Sequence, residues 1–241
     1  MTSPSARISL VTGASRGIGL AISEELARQG MRVIGVARSR PDRWPGEQFV
    51  EADLSTPEGV AIVIDALEQH EQIWGLVNDA GRGSDQSLEE LDPDEFESVL
   101  FLNSVVPALL AQACSRRMTA GGRIVNISSV VALGAPRRTS YGASKGVLIS
   151  MTRTWALELA SKAITVNSIA PGPIETELFR SFNPKGSPGE AKYLSQIPVG
   201  ELGRPEDLAA LVSLLMQPAM SYLTGQTLYF DGGFTIGRSS I

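Results

Sequence analysis

The sequence predicts one α/β domain built on a parallel sheet of seven strands with helices on both faces. Three observations carry that reading. Short apolar runs alternate with helical-period stretches along the whole chain, the pattern of repeated strand–helix–strand crossovers. A glycine-rich turn, Thr12-Gly13-Ala14-Ser15-Arg16-Gly17-Ile18-Gly19, falls where the first run meets the first helix. The 241 residues are 43% hydrophobic and 20% charged, enough for one large core and too few for two full enzyme domains.

The elements follow in order. Residues 8–12 read as the first strand. In residues 18–29 the apolar positions Ile18, Ala21, Ile22 and Leu26 recur at helical spacing, and Gly30 stops the helix. Strands are expected at 32–37 and 48–52, joined by a segment that Pro41, Pro45 and Gly46 break too often for a full helix. Ser55-Thr56-Pro57-Glu58 is a capping box with proline in the first turn, opening a helix to residue 69. His70 then falls in a polar, solvated loop. A fourth strand spans 73–77, and Asp92-Pro93-Asp94-Glu95 opens a long helix through residue 118. Strand five lies in 122–128, a helix in 141–160 and strand six in 165–170. Residues 171–198 are rich in proline and glycine and read as irregular. A helix at 207–216 and a strand at 227–230 complete a single domain over 1–241, with no repeat or linker.

Composition narrows the function classes. The net charge of −5, with no basic stripe, argues against duplex DNA or an anionic membrane as partner. One cysteine, Cys114, allows no internal disulfide; with one histidine it builds no His/Cys zinc cage, so no metal is expected. Residues 1–7 have no apolar core of signal-peptide length, and no apolar run approaches ~18 residues. A cytoplasmic location is the resulting expectation.

The glycine turn has a direct chemical reading. Glycine admits positive φ and lets the backbone touch a pyrophosphate, whose charge a helix N-terminus favours. Gly13, Ser15, Arg16, Gly17, Ile18 and Gly19 are therefore expected to cradle a dinucleotide. An NAD site usually ends strand two with a carboxylate on the ribose 2′-hydroxyl. Here Val36 and Ala37 end it and Arg38 follows, so a 2′-phosphate meets a guanidinium fork, with Arg16 as a second cation. The expected cofactor is NADP(H). Further along, Ser128-Ser129 close strand five, and Tyr141 and Lys145 share one helix face, four residues apart. An ammonium beside a phenol favours phenolate, lowering its pKa from about 10 toward a range useful for proton transfer.

With these residues in order, the chain resembles the short-chain dehydrogenase/reductase family over nearly its whole length. The family's Thr-Gly-x-x-x-Gly-x-Gly is Thr12 to Gly19, and its Asn-Asn-Ala-Gly is Asn78-Asp79-Ala80-Gly81. Its helix asparagine is Asn103, its serine Ser129, and its Tyr-x-x-x-Lys runs from Tyr141 to Lys145. Pro171-Gly172-Pro173-Ile174-Glu175-Thr176 is similar to the loop that covers the nicotinamide, and Asp231-Gly232-Gly233 to the terminal Asp-Gly-Gly. The resemblance implies a Rossmann-type fold and hydride transfer between a nicotinamide and a carbonyl or secondary alcohol. It implies that Tyr141 exchanges a proton with the substrate oxygen and that Ser129 polarises it. Lys145 tunes Tyr141 and holds the ribose, and Asn103 anchors a water on a proton path. By the same resemblance Asp53 and Leu54 flank the adenine, while Asn78, Ala80, Gly81, Pro171, Gly172, Ile174 and Thr176 lie along the cofactor.

Two departures stand out. Asp79 replaces an asparagine and cannot donate as an amide does. Ser129 lies twelve residues before Tyr141, one fewer than is frequent in the family; Ser128 has the commoner spacing, but only one of the two can face the site. Ser129, ending Asn126-Ile127-Ser128-Ser129 as the family's serine does, is the choice. Residues 173–198 are expected to form a substrate lid. Within it Leu178, Phe179, Phe182 and Tyr193 read equally as an apolar pocket or as packing under the loop. Arg137-Arg138 reads either as an exposed loop or as a receiver for a carboxylate or phosphopantetheine phosphate. The C-terminal third, Gly203-Arg204-Pro205-Glu206-Asp207 through Gly233, is similar to 3-oxoacyl-acyl-carrier-protein reductases, which implies an acyl thioester substrate. The apolar excess of helices 95–118 and 141–160 resembles the family's tetramer interface. Two rival readings are an NAD-linked dehydrogenase of a cyclic diol or sugar and a catalytically silent NADP sensor.

Overall fold

The computed structural model describes residues 7–237; the sequence expectations for residues 1–6 and 238–241 lie outside the described residues. Seven parallel strands form one sheet: β1 (Ile8–Thr12), β2 (Arg32–Ala37), β3 (Gln48–Glu51), β4 (Ile73–Asn78), β5 (Met118–Ile127), β6 (Thr165–Pro171) and β7 (Thr227–Phe230). Their order is β3-β2-β1-β4-β5-β6-β7. The chain reverses its direction of growth between β1 and β4, and a crevice opens at the carboxyl ends of strands at such a point.

The helices are α1 (Gly17–Arg28), α2 (Pro57–Glu68), α3 (Pro93–Leu100), α4 (Val106–Ser115), α5 (Thr139–Leu159), α6 (Glu177–Phe182), α7 (Pro188–Leu194) and α8 (Pro205–Leu215). Strand side chains alternate between two cores, as the pleat requires. Leu10, Ile34 and Val36 pack with Val63 and Leu67 of α2 and with Val106 and Leu110 of α4. Val11, Val33 and Val77 pack on the other face with Ile22 and Leu26 of α1 and with Leu208 and Val212 of α8. Both faces are buried, which is why the strands are apolar throughout rather than alternating.

Four local features differ from expectation. The long helix is interrupted by a π-turn at Phe101–Val105 and ends at Ser115, because Met118 already pairs with Ile73 and starts β5. A bulge between Ile73 and Gly75 accommodates this early start, with Gly121 at φ 97°. Pro93–Ser115 holds an 18-residue window of mean hydropathy 1.5, so a stretch of membrane-spanning length and apolarity does exist. Asn103 and Gln112 interrupt it and hide it from a count of consecutive apolar residues; it packs as a layer on β4 and α2. The 171–198 segment contains α6 and α7, each a single capped piece held by Thr176 or Ser187 and too short for a periodic signal. His70 is half-buried, with Nε2 3.0 Å from Gln48 Oε1.

The β2–β3 crossover has no helix, and Trp44 takes its place. Its ring covers Gly35 and Gly46 and meets Phe49 edge-on at 4.9 Å. A methyl group at Gly35 falls 2.2 Å from the Trp44 ring. Gly35→Ala is therefore expected to destabilise the fold by about 1–3 kcal/mol through overpacking. An unchanged midpoint in urea unfolding contradicts that packing.

Candidate active site

The carboxyl ends of β1, β4 and β5 meet at one edge. Thr12 Oγ1 accepts the backbone N–H groups of Asp79 and Ala80, each at 3.0 Å, and so ties the turn after β1 to the turn after β4. The β1 turn uses its glycines for stated reasons. Gly13 and Gly17 have φ of 71° and 56°, and a side chain on Gly19 starts 2.4 Å from Gly13 O. Arg16, extended, precedes α1 without a side-chain cap, and the first turn holds no acid; of its N–H groups, that of Gly19 is accepted by the Asp79 carboxyl. Arg16 and Arg38 are exposed, and neither has a salt-bridge partner among the described residues. Asp53 Oδ1 accepts Ser55 Oγ at 2.7 Å and Ser55 N at 2.9 Å. Those bonds, aided by the charge of Arg38, hold its carboxyl below the usual range. Leu54 beside it is buried.

The two serines after β5 point to different places. Ser128 Oγ donates to Lys145 O at 2.8 Å and fastens β5 to α5. Ser129 Oγ accepts Val131 N at 3.2 Å and hydrogen-bonds the Tyr141 phenol. Lys145 is buried; its Nζ donates to Ile127 O at 2.8 Å and lies 5.8 Å from the Tyr141 ring centre. Asn103 sits in the π-turn, a irregularity frequent at functional sites. Its Oδ1 accepts Arg82 N at 2.9 Å, and its Nδ2 donates to Arg82 O and Ser144 Oγ. Asn103 thereby holds Gly81 over Lys145: a side chain on Gly81 starts 3.0 Å from Asn103 Oδ1 and 3.4 Å from Lys145 Nζ.

Asn78 Nδ2 donates to Asn126 Oδ1, and Asn126 Nδ2 to Thr152 Oγ1, both at 2.9 Å. This buried polar ladder locks β4, β5 and α5 together. Asn126 and Thr152 were not expected at the site; an asparagine inside an apolar strand is the signal that marks such a ladder. On the far side, Pro171 ends β6 and Gly172 N donates to Phe230 O at 2.9 Å. Ile174 is buried and pairs with Gly203, and Thr176 caps α6. The Thr176 methyl comes within 3.7 Å of a side-chain position at Gly17, so this loop returns over the phosphate turn.

Electrostatics correct one expectation. Burial, not Lys145, dominates Tyr141 and pushes its phenol up; the Ser129 bond opposes this, the Asp79 charge adds to it, and Arg138 opposes it. Tyr141 keeps its proton. Burial pushes Lys145 down to about 8 against the pull of Asp79. Asp79 is pushed up to about 7, again by burial, against the Lys145 charge and the Gly19 N–H.

Of the two readings of Arg137-Arg138, the contacts favour the exposed loop over an anion receiver. Arg137 is paired with Asp85 at 2.7 Å and Glu90 at 3.1 Å, and Arg138 Nη1 donates to Ser84 O at 2.7 Å. Asp85 and Glu90 of the 84–90 loop neutralise what the Arg-Arg pair alone suggests. In the 173–198 segment, Arg180 joins Glu175 to Glu190, and Phe179 packs edge-on to Tyr193 at 5.3 Å. Leu178 and Phe182 stand 60% and 78% exposed. The four apolar residues of this segment thus divide, two packing together and two exposed.

Residues 13–235 match the family model described as enoyl-(acyl carrier protein) reductase. The chain is 39% identical over 241 residues to the 3-oxoacyl-(acyl-carrier-protein) reductase FabG of Pseudomonas aeruginosa, covering 94% of this chain and 96% of that protein. It is 35% identical over 238 residues to FabG of Vibrio cholerae, with the same coverages. Among solved structures, ligand-free aldohexose dehydrogenase of Thermoplasma acidophilum superposes with a TM-score of 0.89 at 29% identity, over 98% of this chain and 96% of that one. A blue fluorescent protein from a metagenomic library, in complex with NADPH, superposes with a TM-score of 0.85 at 32% identity, over 95% and 97%. The chain belongs to the short-chain dehydrogenase/reductase family of oxidoreductases, with the Rossmann-type fold of its members.

The two serines give a test of this geometry. Ser128→Ala orphans a buried bond between β5 and α5 and is expected to cost about 1–2 kcal/mol of unfolding free energy. Ser129→Ala should cost clearly less. Equal losses in denaturant titrations contradict the division of roles.

Proposed function

We propose that the protein is an NADP(H)-dependent carbonyl reductase with Tyr141 as general acid, acting on a 3-oxoacyl thioester or a related ketone. The observation that carries this reading is the meeting of Ser129, Tyr141 and Lys145 beside the glycine turn. A nicotinamide dinucleotide fits the residues present: positive-φ glycines at a helix start without a side-chain cap, with Arg16 in the turn and Arg38 after β2, neither ion-paired among the described residues. Gly13, Ser15, Arg16, Gly17, Ile18 and Gly19 would hold its phosphates, and Arg38 a 2′-phosphate. Asp53 and Leu54 would flank the adenine. Asn78, Ala80, Gly81, Tyr141, Lys145, Pro171, Gly172, Ile174 and Thr176 would line its length. When bound, it supplies the hydride for the carbonyl carbon.

The chain's own groups do the rest. Ser129 and Tyr141 offer two O–H donors to one substrate oxygen, where negative charge develops during reduction. Tyr141 gives its proton to that oxygen, and the phenolate left behind is stabilised by the Ser129 bond and by the Lys145 ammonium. A raised phenol suits this direction, since the acid form is populated at neutral pH. Exposed Leu178 and Phe182 on α6 suit an apolar acyl chain. The names of the FabG relatives support the thioester class. Exposed Val105, Leu109, Val147 and Leu157 on the α4 and α5 region support a homotetramer built on those helices.

Tyr141→Phe is expected to lower reduction by about a thousandfold or more, with NADPH affinity measured by fluorescence within a few-fold of wild type. Comparable turnover in the variant rejects the mechanism. The substrate assay is a panel of 3-oxoacyl thioesters, enoyl thioesters, simple ketones, sugars and diols with both nicotinamides. Arg38→Asp should move preference from NADPH toward NADH by about tenfold or more, through loss of one charge-assisted contact and gain of repulsion. Unchanged selectivity rejects the role of Arg38. Reduction should be level through neutral pH and fall above about 8, as Lys145 loses its charge.

A further inference from the structure

Asp79 sets a carboxyl behind the phosphate turn. Its Oδ2 lies 3.0 Å from a side-chain position at Gly13 and 2.8 Å from one at Gly19, directly beneath both glycines. The carboxyl accepts the Gly19 N–H, one of the groups that would otherwise face an anion. The charged and titratable groups facing it come from α5, the Lys145 ammonium and the Tyr141 phenol; the β1 turn presents the Gly19 amide and the β4 end the Thr12-bound backbone. An amide at this position would be neutral. A carboxylate places a full negative charge under a cradle shaped for phosphates, in a site where the low dielectric magnifies repulsion.

We propose that Asp79 is a positioning residue that takes up one proton when an anionic dinucleotide settles on the Gly13–Gly19 turn, so that cofactor binding is coupled to pH and to the charge around Tyr141. The proton comes from solvent and ends on the carboxyl, with no other bond changed. As a carboxylate Asp79 competes with the pyrophosphate for the α1 N-terminus; as an acid it no longer repels it. Neutralising Asp79 also removes the negative charge that adds to burial in holding the Tyr141 phenol high, so a bound cofactor would make the proton donor somewhat more acidic. Burial, which pushes the Asp79 carboxyl up to about 7, fits this coupling.

The inference rests on the dinucleotide reading, and the test separates the two. Calorimetric binding of NADPH to the whole protein in two buffers of different ionisation enthalpy, at pH 7 to 8, counts protons exchanged. Repeating it with NADH, which lacks the 2′-phosphate, removes that group's own titration. Wild type should take up about half a proton or more, and its affinity should weaken about threefold or more from pH 6.5 to 8.5. Asp79→Asn, close in shape and folded by thermal melting, should lose most of that uptake and bind with a nearly flat pH profile. Its reduction–pH profile should also shift its alkaline limb to lower pH. Equal proton uptake and equal pH slopes in the two proteins overturn the role of Asp79 and leave the dinucleotide reading intact. If the variant does not fold, absence of net uptake by wild type with either nucleotide overturns the proposal on its own. Failure of wild type to bind either nucleotide overturns the dinucleotide reading and this inference with it.

Discussion

The site depends on one constraint, the common level at which β1, β4 and β5 end. Parallel pairing in register sets Val11 beside Val77 and Asn78 beside Asn126. The residues that follow each strand therefore emerge side by side: the glycine turn, the Asp79-Ala80-Gly81 turn and the serine pair. Thr12 joins the first two and the Asn78–Asn126–Thr152 ladder joins the last two to α5. A slip of one residue in this pairing would turn each strand's side chains to the wrong core. The packing of both sheet faces thus positions the site, with Ala14 and Ala80 anchoring two of its turns on the cores.

Burial then sets the chemistry of those groups. Tyr141, Lys145 and Asp79 are each moved toward their neutral forms by desolvation, opposed at Tyr141 first by the Ser129 bond and at Lys145 and Asp79 by their mutual attraction. A site buried in this way holds a protonated phenol and makes each remaining charge count for more than it would in solvent. In the proposed mechanism the lysine would stabilise the charge that reduction leaves on the phenol, rather than create a phenolate beforehand. Its bond to Ile127 O keeps it fixed while it waits.

Much of this was legible in the sequence, and the limits are physical. The bounds of β1, β2 and β7 agree with their apolar runs because turns bracket each run sharply. The absence of a β2–β3 helix was readable from Pro41, Pro45 and Gly46, but not that Trp44 would fill the gap. The π-turn at Phe101–Val105 leaves the apolar periodicity almost unbroken and so gave no sign. The start of β5 was misplaced because its first residues, Met118 to Gly122, cross a bulge. Motif spacing brought Ser129, Tyr141, Lys145 and Asn103 to one place. It could not show that burial outweighs Lys145 at Tyr141, or that Asp85 and Glu90 engage Arg137, since both depend on contacts distant in the chain.

The most direct measurement is a crystal structure of the protein with NADPH and a bound ketone or acyl thioester analogue. The account requires the nicotinamide ring on the Ser129–Tyr141 side of Gly81, with the substrate oxygen in hydrogen-bond reach of both hydroxyls. A nicotinamide ring bound away from that pair, or a substrate oxygen bonded elsewhere while the Tyr141 hydroxyl stays with Ser129 alone, would contradict it.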